Sequence, residues 1–219
     1  MMVVVFDLDD TLYKEIDYLR SAYRYIAAQL AGDDAEREEI FGALCGAYKE
    51  GRDAFATLME CYNNKGVTKE TLLHWYRTHK PQISLTDGCE GFLSVLVAKG
   101  CRLGIITDGR SKTQRNKIKA LSLDKYIAPY NIVISEEIGF EKTSFEPFRH
   151  FVNRYPNASE FIYIGDNPAK DFYNPNLMGW KTIMLIDKGT NIHSQTEESS
   201  KIHSPQIKIN EITELLEII

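Results

Sequence analysis

The sequence predicts an α/β fold in which a parallel β-sheet carries an inserted α-helical segment. Two observations carry this prediction: short apolar runs recur along the chain, and amphipathic helical patterns lie between the later ones. The runs occupy residues 2–6, 101–106, 131–134, 161–164 and 182–186. Alternation of buried strand and helix indicates a parallel sheet covered on both faces. A third observation is the stretch 14–86, which has helical periodicity and no convincing strand.

The first strand is followed by this inserted segment, in which four apolar stripes have helical spacing. The stripes begin at Ile16, Ile40, Phe55 and Leu72. Gly51, Gly66 and Pro81 separate the patterns, as turn residues do. We therefore expect an α/β core formed by residues 1–13 and 87–219, and a helical unit formed by residues 14–86.

After the insertion, Asp87 and Glu90 indicate a helix start, and Gly100 lies where the C-terminal cap of that helix belongs. The later strands and helices then alternate up to residue 186. Residues 187–205 are polar and show no periodicity, which predicts a long mobile loop. Residues 206–209 and 211–219 are expected to form an edge strand and a closing helix.

The overall composition is that of a globular chain with a buried core. Hydrophobic residues make up 43% of the 219 residues and charged residues 26%, which fits one domain with a sizeable insertion. The formal net charge is -5, whereas binding to phosphate backbones requires a clustered basic excess. We expect no nucleic-acid partner.

The apolar runs and the cysteines bear on the cellular compartment. Each run is far shorter than the roughly 20 residues that a membrane helix needs, so no membrane partner is expected. The first residues, MMVVVFDLDDTL, lack the basic leader of a secretory signal. The four cysteines show no CxxC spacing, which is typical of reduced thiols. We expect a cytoplasmic protein, monomeric or homodimeric.

Acidic residues cluster where the first strand ends. Asp7, Asp9 and Asp10 follow the run 2–6, and ligands of open α/β sheets bind outside the carboxyl ends of strands. Three adjacent carboxylates repel one another, and a hard divalent cation with oxygen ligands would relieve this repulsion. A solvated acidic turn is the alternative explanation of these residues taken alone.

Other polar groups follow other strands, and this favours a common site. The strand 161–164 leads into the acidic loop GDNPAKD at residues 165–171, and the strand 101–106 leads into Thr107, Asp108 and Gly109. Lys142 lies between them on a loop before a predicted helix. Because the carboxyl ends of parallel strands meet at one edge of a sheet, we expect these groups to converge.

Four ordered motifs resemble those of the haloacid dehalogenase superfamily of phosphohydrolases. They are FDLDDTL at the first strand, IITDG at the second, Lys142 before a helix, and IGDNPAKD at a later strand. The resemblance implies a Rossmann-like parallel sheet core, with residues 14–86 in the place of that superfamily's α-helical cap. One departure is the lysine motif, which usually continues Lys-Pro-Asp-Pro and here reads KTSFEP.

The resemblance implies a role for each motif residue. Asp7 would be the nucleophile that forms an aspartyl-phosphate, and Asp9 would protonate the leaving oxygen and then deprotonate water. Lys142 would offset charge on the nucleophile and the phosphoryl group. The phosphoryl oxygens would be bound by Lys142, the Thr107 hydroxyl and the backbone amides of Asp108 and Gly109.

The resemblance also implies Mg²⁺ as cofactor. Its ligands would be the carboxylates of Asp7 and Asp166 and the backbone carbonyl of Asp9, with Asp171 just outside them. Asp9 points to phosphate esters, because dehalogenases of the superfamily lack an aspartate two residues after the nucleophile. We therefore expect a Mg²⁺-dependent phosphatase acting on a small-molecule phosphate ester of the sugar phosphate or nucleotide class.

Other functions compete with this hypothesis. A phosphomutase of the same superfamily stays possible by analogy. A signalling receiver domain is another: its acidic pair, phosphate-accepting aspartate and hydroxyl have counterparts in Asp9, Asp10, Asp108 and Ser135. That class is disfavoured because the strand 161–164 ends in Gly165 and Asp166, where a receiver carries its lysine. A binding protein without catalysis is disfavoured because every expected reacting side chain is present.

A basic run follows the second motif. It contains Arg110, Lys112, Arg115, Lys117 and Lys119. With Ile118 and Leu121 on the other side, the pattern predicts the solvated face of a helix. The alternative is that Arg110, close to Thr107, reaches the substrate.

Overall fold

Six parallel strands form one sheet in the computed structural model, which describes residues 1–62, 66–195 and 200–218. The strands are β1 (Met2–Phe6), β2 (Arg102–Thr107), β3 (Ile132–Ile134), β4 (Glu160–Gly165), β5 (Lys181–Leu185) and β6 (Ile207–Ile209). Each predicted strand is confirmed with its ends shifted by at most one residue. Continuous apolar runs are reliable here because central parallel strands are buried on both faces.

Ten α-helices accompany the sheet in the described part of the chain. Four precede β2 in the inserted segment: α1 (Glu15–Leu30), α2 (Asp34–Lys49), α3 (Ala54–Cys61) and α4 (Lys69–Thr78). The others are α5 (Cys89–Ala98), α6 (Ser111–Ala120), α7 (Ser135–Ile138), α8 (Glu146–Arg154), α9 (Pro168–Asp171) and α10 (Tyr173–Leu177). Among these described helices, none combines the length and apolar character that crossing a bilayer requires.

The chain divides into two units. One contains Met1–Glu15 and the chain from Ser84 onward, and the other is Ile16–Ile83. Aromatic packing holds the second unit together: the Tyr18 hydroxyl donates to the Tyr76 carbonyl at 2.7 Å, and Phe55 packs edge-on against Tyr76. Side-chain caps start its helices, with Asp53 at the N-terminus of α3 and Thr68 at that of α4.

The order of strands in the sheet is β3-β2-β1-β4-β5-β6. The chain starts in the middle, moves outward through β2 and β3, and returns across β1 to β4. Such a reversal opens a crevice at the carboxyl ends of the two strands on either side of it. Phe6 is paired with Ile164, and the Asp7 amide donates to the Ile164 carbonyl at 2.8 Å. Asp7 therefore lies at this crevice.

The C-terminal part differs from the prediction in two places. Residues 187–191 form a hydrogen-bonded turn, because the Asp187 carboxylate accepts from the amides of Gly189, Thr190 and Asn191. The closing segment is a 3₁₀ helix, Ile212–Glu217, started by a capping box between Glu211 and Glu214. Residues 196–199 of the predicted loop and residue 219 of the predicted helix lie outside the described residues.

A close approach of β2 to an aromatic ring fixes one core position. Gly104 lies in β2, and a Cβ atom there would overlap the ring of Phe151 on α8. That ring is fully buried and packs with Phe148, Tyr163 and Trp180 in one apolar cluster. The absence of a side chain at residue 104 lets α8 pack directly on the sheet.

Gly104→Ala is expected to destabilise the protein by about 1–3 kcal/mol, because the added methyl group overpacks a filled core. The measurement is the midpoint of thermal unfolding. Gly91→Ala is the matched control, because Gly91 is exposed on helix α5 with open space around it. That change should stabilise the protein by about 0.5–1 kcal/mol. An unchanged midpoint for Gly104→Ala would show that the ring moves aside at no cost.

Candidate active site

Three buried carboxylates meet at the crevice between β1 and β4. Asp7 directly follows β1, Asp166 directly follows β4, and Asp171 ends the short helix α9. An oxygen atom from each lies within 4.8 Å of the others. The structure thus brings together the acidic groups that the sequence places at two strand ends.

Lys142 neutralises part of this charge. Its Nζ lies 3.0 Å from Asp7 Oδ1 and 2.6 Å from Asp171 Oδ1, and its side chain is 4% exposed. Backbone contacts hold the residue, because its amide donates to Asp108 Oδ1 at 3.0 Å and its carbonyl accepts from Asn174 at 2.8 Å. Lys142 makes these contacts without the proline that usually follows it, and helix α8 begins at Glu146 with Pro147 in its first turn.

Asp171 organises the loop after β4. Its Oδ1 accepts from the Lys142 ammonium and from the Tyr163 hydroxyl at 3.1 Å. Its Oδ2 accepts from the amides of Asp166 at 3.1 Å and Asn167 at 2.8 Å. With both oxygens engaged, Asp171 is better suited to hold its neighbours in place than to bind a cation directly.

Burial changes the pKa values of the two remaining carboxyls. Burial, reinforced by the charges of Asp171 and Asp7, raises the pKa of Asp166 to about 9. Burial also raises the pKa of Asp7 to about 7, even though Lys142 opposes the shift. Asp7 and Asp166 thus resist being ionised at the same time. A hard divalent cation bound between them would favour their charged forms, so the pair is a suitable donor set for such a cation.

Thr107 and its neighbours line the site from β2. Thr107 is buried, and its Oγ1 accepts from Gln114 Nε2 at 2.6 Å. The Asp108 side chain holds the lysine loop and lies 3.4 Å from Lys170 Nζ. The amide of Gly109, expected to bind a phosphoryl oxygen, instead donates to Ser135 Oγ at 2.9 Å. In this structure, that amide is engaged inside the protein.

Asp9 has a separate set of partners. Its Oδ1 accepts from Lys117 Nζ at 2.6 Å and from the Tyr13 hydroxyl, and its Oδ2 accepts from Gln114 Nε2 at 2.8 Å. Burial opposes ionisation of Asp9, but Lys117 and these hydrogen bonds outweigh burial and lower the pKa of the carboxyl. The two aspartates therefore have opposite pKa shifts, although one residue separates them.

The prediction for the basic run was wrong at Lys117. Its side chain is only 3% exposed, because residues 114, 117 and 118 form the buried face of helix α6. Spacing from Leu121, which is four residues after Lys117 and buried, was a usable signal, since residues three and four apart share a helical face. Arg110 lies 3.6 Å from Glu136, and Arg115 lies 2.6 Å from Glu137.

The loop after β5 reaches the site, which the sequence did not predict. Asn191 Nδ2 donates to Asp166 Oδ2 at 2.9 Å, and Gln195 Nε2 donates to the Asp166 carbonyl at 2.8 Å. The amide of Ile192 donates to Asp10 Oδ2 at 3.1 Å. A cavity of about 220 Å³ lies at the ends of β1, β2 and β4 and is lined by His193 of this loop. Its lining includes Asp7, Asp9, Thr107, Lys142, Asp166 and His193.

The sequence of this chain is similar to those of a known enzyme family. Residues 4–185 match the family described as haloacid dehalogenase-like hydrolase. A glyceraldehyde 3-phosphate phosphatase from Methanocaldococcus jannaschii is 26% identical over 99% of this chain and 96% of its own length. The putative HAD-hydrolase YfnB from Bacillus subtilis is 25% identical over 83% of each chain.

Solved structures share the fold. The magnesium-bound crystal structure of YfnB covers 99% of this chain and 97% of its own, with a TM-score of 0.66 at 21% identity. A HAD phosphatase from Thermococcus onnurineus covers 100% of this chain and 97% of its own, with a TM-score of 0.61 at 20% identity. At these identities, the likeness concerns the fold.

The raised carboxyl pKa values predict a pH-dependent effect of Mg²⁺ on stability. A carboxyl with a raised pKa binds a proton in the folded state that the unfolded state has lost, so stability falls as pH rises. The window runs from about pH 4, the unfolded value, to about 9 for Asp166. In EDTA, the unfolding temperature should therefore fall between pH 6 and pH 8.5, and Mg²⁺ should raise it more at pH 8.5.

Differential scanning fluorimetry with EDTA or MgCl₂ at both pH values measures this effect. Asp166→Asn is the matched variant: it should raise the unfolding temperature in EDTA and abolish the response to Mg²⁺, because the buried carboxylate is gone. A Mg²⁺ response that is equal at both pH values would contradict the linkage.

Proposed function

Because this chain belongs to the haloacid dehalogenase-like hydrolase family and is a phosphatase-type enzyme, we propose that it is a Mg²⁺-dependent phosphatase of small phosphomonoesters. The observation that supports the proposal best is the buried group at the β1/β4 crevice, where Lys142 contacts both Asp7 and Asp171. A nucleophile, a fixed cation and a donor set for a metal are thereby adjacent.

Asp7 is the proposed nucleophile. One of its carboxylate oxygens attacks phosphorus, the bond from phosphorus to the ester oxygen breaks, and an aspartyl-phosphate forms. Lys142, 3.0 Å from Asp7 Oδ1, offsets the negative charge that gathers on the phosphoryl oxygens. The Thr107 hydroxyl accepts from Gln114, so its own proton is available to a phosphoryl oxygen.

Asp9 is the proposed acid and base. Because its three donors favour the carboxylate, it first takes up a proton from solvent, and it gives this proton to the leaving oxygen in the first step, which releases an alcohol. In the second step it takes a proton from water, whose oxygen attacks phosphorus as the bond to Asp7 breaks. The products are inorganic phosphate and a free Asp7 carboxylate, and Asp9 again carries its proton.

The residues present fit a magnesium ion. The carboxylates of Asp7 and Asp166 and the backbone carbonyl of Asp9 would hold it, and Asp171 would keep the Asp166 loop in place. When bound, the ion would neutralise charge on the phosphoryl group and keep Asp7 ionised. Hydrogen bonds from Asn191 and Gln195 to Asp166 orient this residue from outside the cluster.

We propose sugar phosphates as the first substrate class to test, followed by nucleotides. The support is the name of the Methanocaldococcus relative, a glyceraldehyde 3-phosphate phosphatase at 26% identity. We further propose that the helical unit Ile16–Ile83 is the substrate-selecting cap. A phosphopeptide should then be a much poorer substrate than the best small phosphate ester.

Asp7→Asn is expected to lower turnover by more than about a hundredfold, because an amide is neither a nucleophile nor an anionic metal ligand. Steady-state hydrolysis and acid-quench trapping of labelled phosphoenzyme measure the loss. The matched control is Asp124→Asn, at an exposed position, which should leave both unchanged. Labelled phosphoenzyme in the Asp7→Asn variant would rule out Asp7 as the nucleophile.

Asp9→Asn is expected to affect substrates according to their leaving group. An alkoxide such as that of glycerol 3-phosphate needs a proton in order to leave, whereas para-nitrophenolate hardly does. The loss of kcat should therefore be about a hundredfold on glycerol phosphate and much smaller on para-nitrophenyl phosphate. Equal losses on the two substrates would contradict the acid role.

A further inference from the structure

Lys117 lies in an unusual place for a lysine. Its side chain is 3% exposed on helix α6, with Nζ 2.6 Å from Asp9 Oδ1 and 3.8 Å from Glu15 Oε1. A buried ammonium group is costly unless it is paired with negative charge. Asp9, the nearer of the two carboxylates, is therefore the main group that compensates the buried ammonium.

Gln114 lies one helical turn earlier on the same face of α6. Its Nε2 donates to Asp9 Oδ2 at 2.8 Å and to Thr107 Oγ1 at 2.6 Å. One amide group thus connects the proposed acid and base to the proposed phosphate-binding hydroxyl. The donor matches a carboxylate oxygen on one side and a hydroxyl oxygen on the other, so the amide orients both groups at once.

Tyr13 completes the arrangement from the loop after β1. Its hydroxyl donates to Asp9 Oδ1, the same oxygen that accepts from Lys117. The tyrosine is fully buried, so its ring is held by packing. Donors from two separate segments of the chain therefore fix both oxygens of Asp9.

We propose that Lys117, Gln114 and Tyr13 form a clamp that positions Asp9 for proton transfer, with Lys117 as its principal positioning residue. This inference rests on the proposed function, because it assigns Asp9 the acid and base role. Lys117 acts through Asp9 and does not touch the substrate. Fixed geometry matters at this point because proton transfer requires the carboxyl oxygen within hydrogen-bond reach of the leaving oxygen.

A loss of activity alone would not test the clamp, because removing the ammonium leaves Asp9 and Glu15 without compensation and lowers stability as well. The informative quantity is the dependence on the leaving group. A general structural defect reduces turnover of all substrates alike, whereas a misplaced Asp9 slows only those that need its proton.

The experiment measures kcat and KM of the full chain with Mg²⁺ on glycerol 3-phosphate and on para-nitrophenyl phosphate. The variants are Lys117→Met, Asp9→Asn and the double variant, with Lys119→Met as the control on the exposed side of the same helix. Tyr13→Phe is a milder variant that removes only one donor to Asp9, and it carries the test if Lys117→Met does not fold.

We expect Lys117→Met to lower kcat on glycerol 3-phosphate by about tenfold or more, and on para-nitrophenyl phosphate by less than about threefold. Tyr13→Phe should show the same pattern at smaller amplitude, and Lys119→Met should match the wild type. In the Asp9→Asn background, Lys117→Met should change kcat by less than about twofold, because residues that act as one unit are not additive.

Two results would overturn the clamp while leaving the proposed function intact. One is an equal loss on both substrates in Lys117→Met and Tyr13→Phe. The other is an undiminished effect of Lys117→Met in the Asp9→Asn background. If Asp9→Asn itself lost both substrates equally, the assignment of Asp9 would fail, and the clamp would fall with it.

Discussion

The contact of Lys142 with Asp7 and Asp171 is the interaction on which the rest of the site depends. It joins three separate parts of the chain, namely the end of β1, the loop before α8 and the helix α9. A buried carboxylate is tolerable only where a cation or hydrogen-bond donors compensate it. Because Asp171 receives both, it can fix the amides of Asp166 and Asn167 and so set the shape of the loop after β4.

A second buried lysine, Lys117, gives the other aspartate of the first motif its own ion pair. Lys142 faces Asp7 and Lys117 faces Asp9, so each carboxylate has its own cation. The pKa of Asp7 is nevertheless raised, because burial and the charge of Asp171 outweigh Lys142. The pKa of Asp9 is lowered, because Lys117 and the hydrogen bonds to Asp9 outweigh its burial. Neighbouring carboxyls with diverging pKa values are typical of sites in which the two have different roles.

The sequence predicted the sheet well because its strands are continuous apolar runs, and it predicted which polar groups converge because parallel strands end at one edge. Asp7, Thr107 and Asp166 follow from that geometry. Lys117 did not, since a lysine in a basic run resembles a solvated one. The only signal of its burial was its spacing from Leu121, four residues later on the same helical face. The contact of Asn191 with Asp166 has no signal in a polar, aperiodic segment.

Glycine residues show how tightly the site is built. A Cβ atom at Gly165 would overlap the Asp171 carboxylate, so the residue before Asp166 has to lack a side chain. Gly109 has a φ of 141°, and a Cβ atom there would approach Gln114 to 3.3 Å. Both glycines border residues that hold others in place, Asp171 beside Lys142 and Gln114 beside Asp9. The backbone is therefore shaped to let these two supporting side chains pack closely.

All the proposed reacting groups belong to the unit that contains the sheet. The described lining of the cavity belongs to this unit as well, with Lys170 and His193 beside the reacting groups. His193 lies on the loop that Asn191 and Gln195 tie to Asp166. We therefore propose the core itself as one source of substrate choice, beside the cap proposed for Ile16–Ile83. Since the loop contacts Asp166 directly, a change of substrate contacts there also changes the support of a proposed metal ligand.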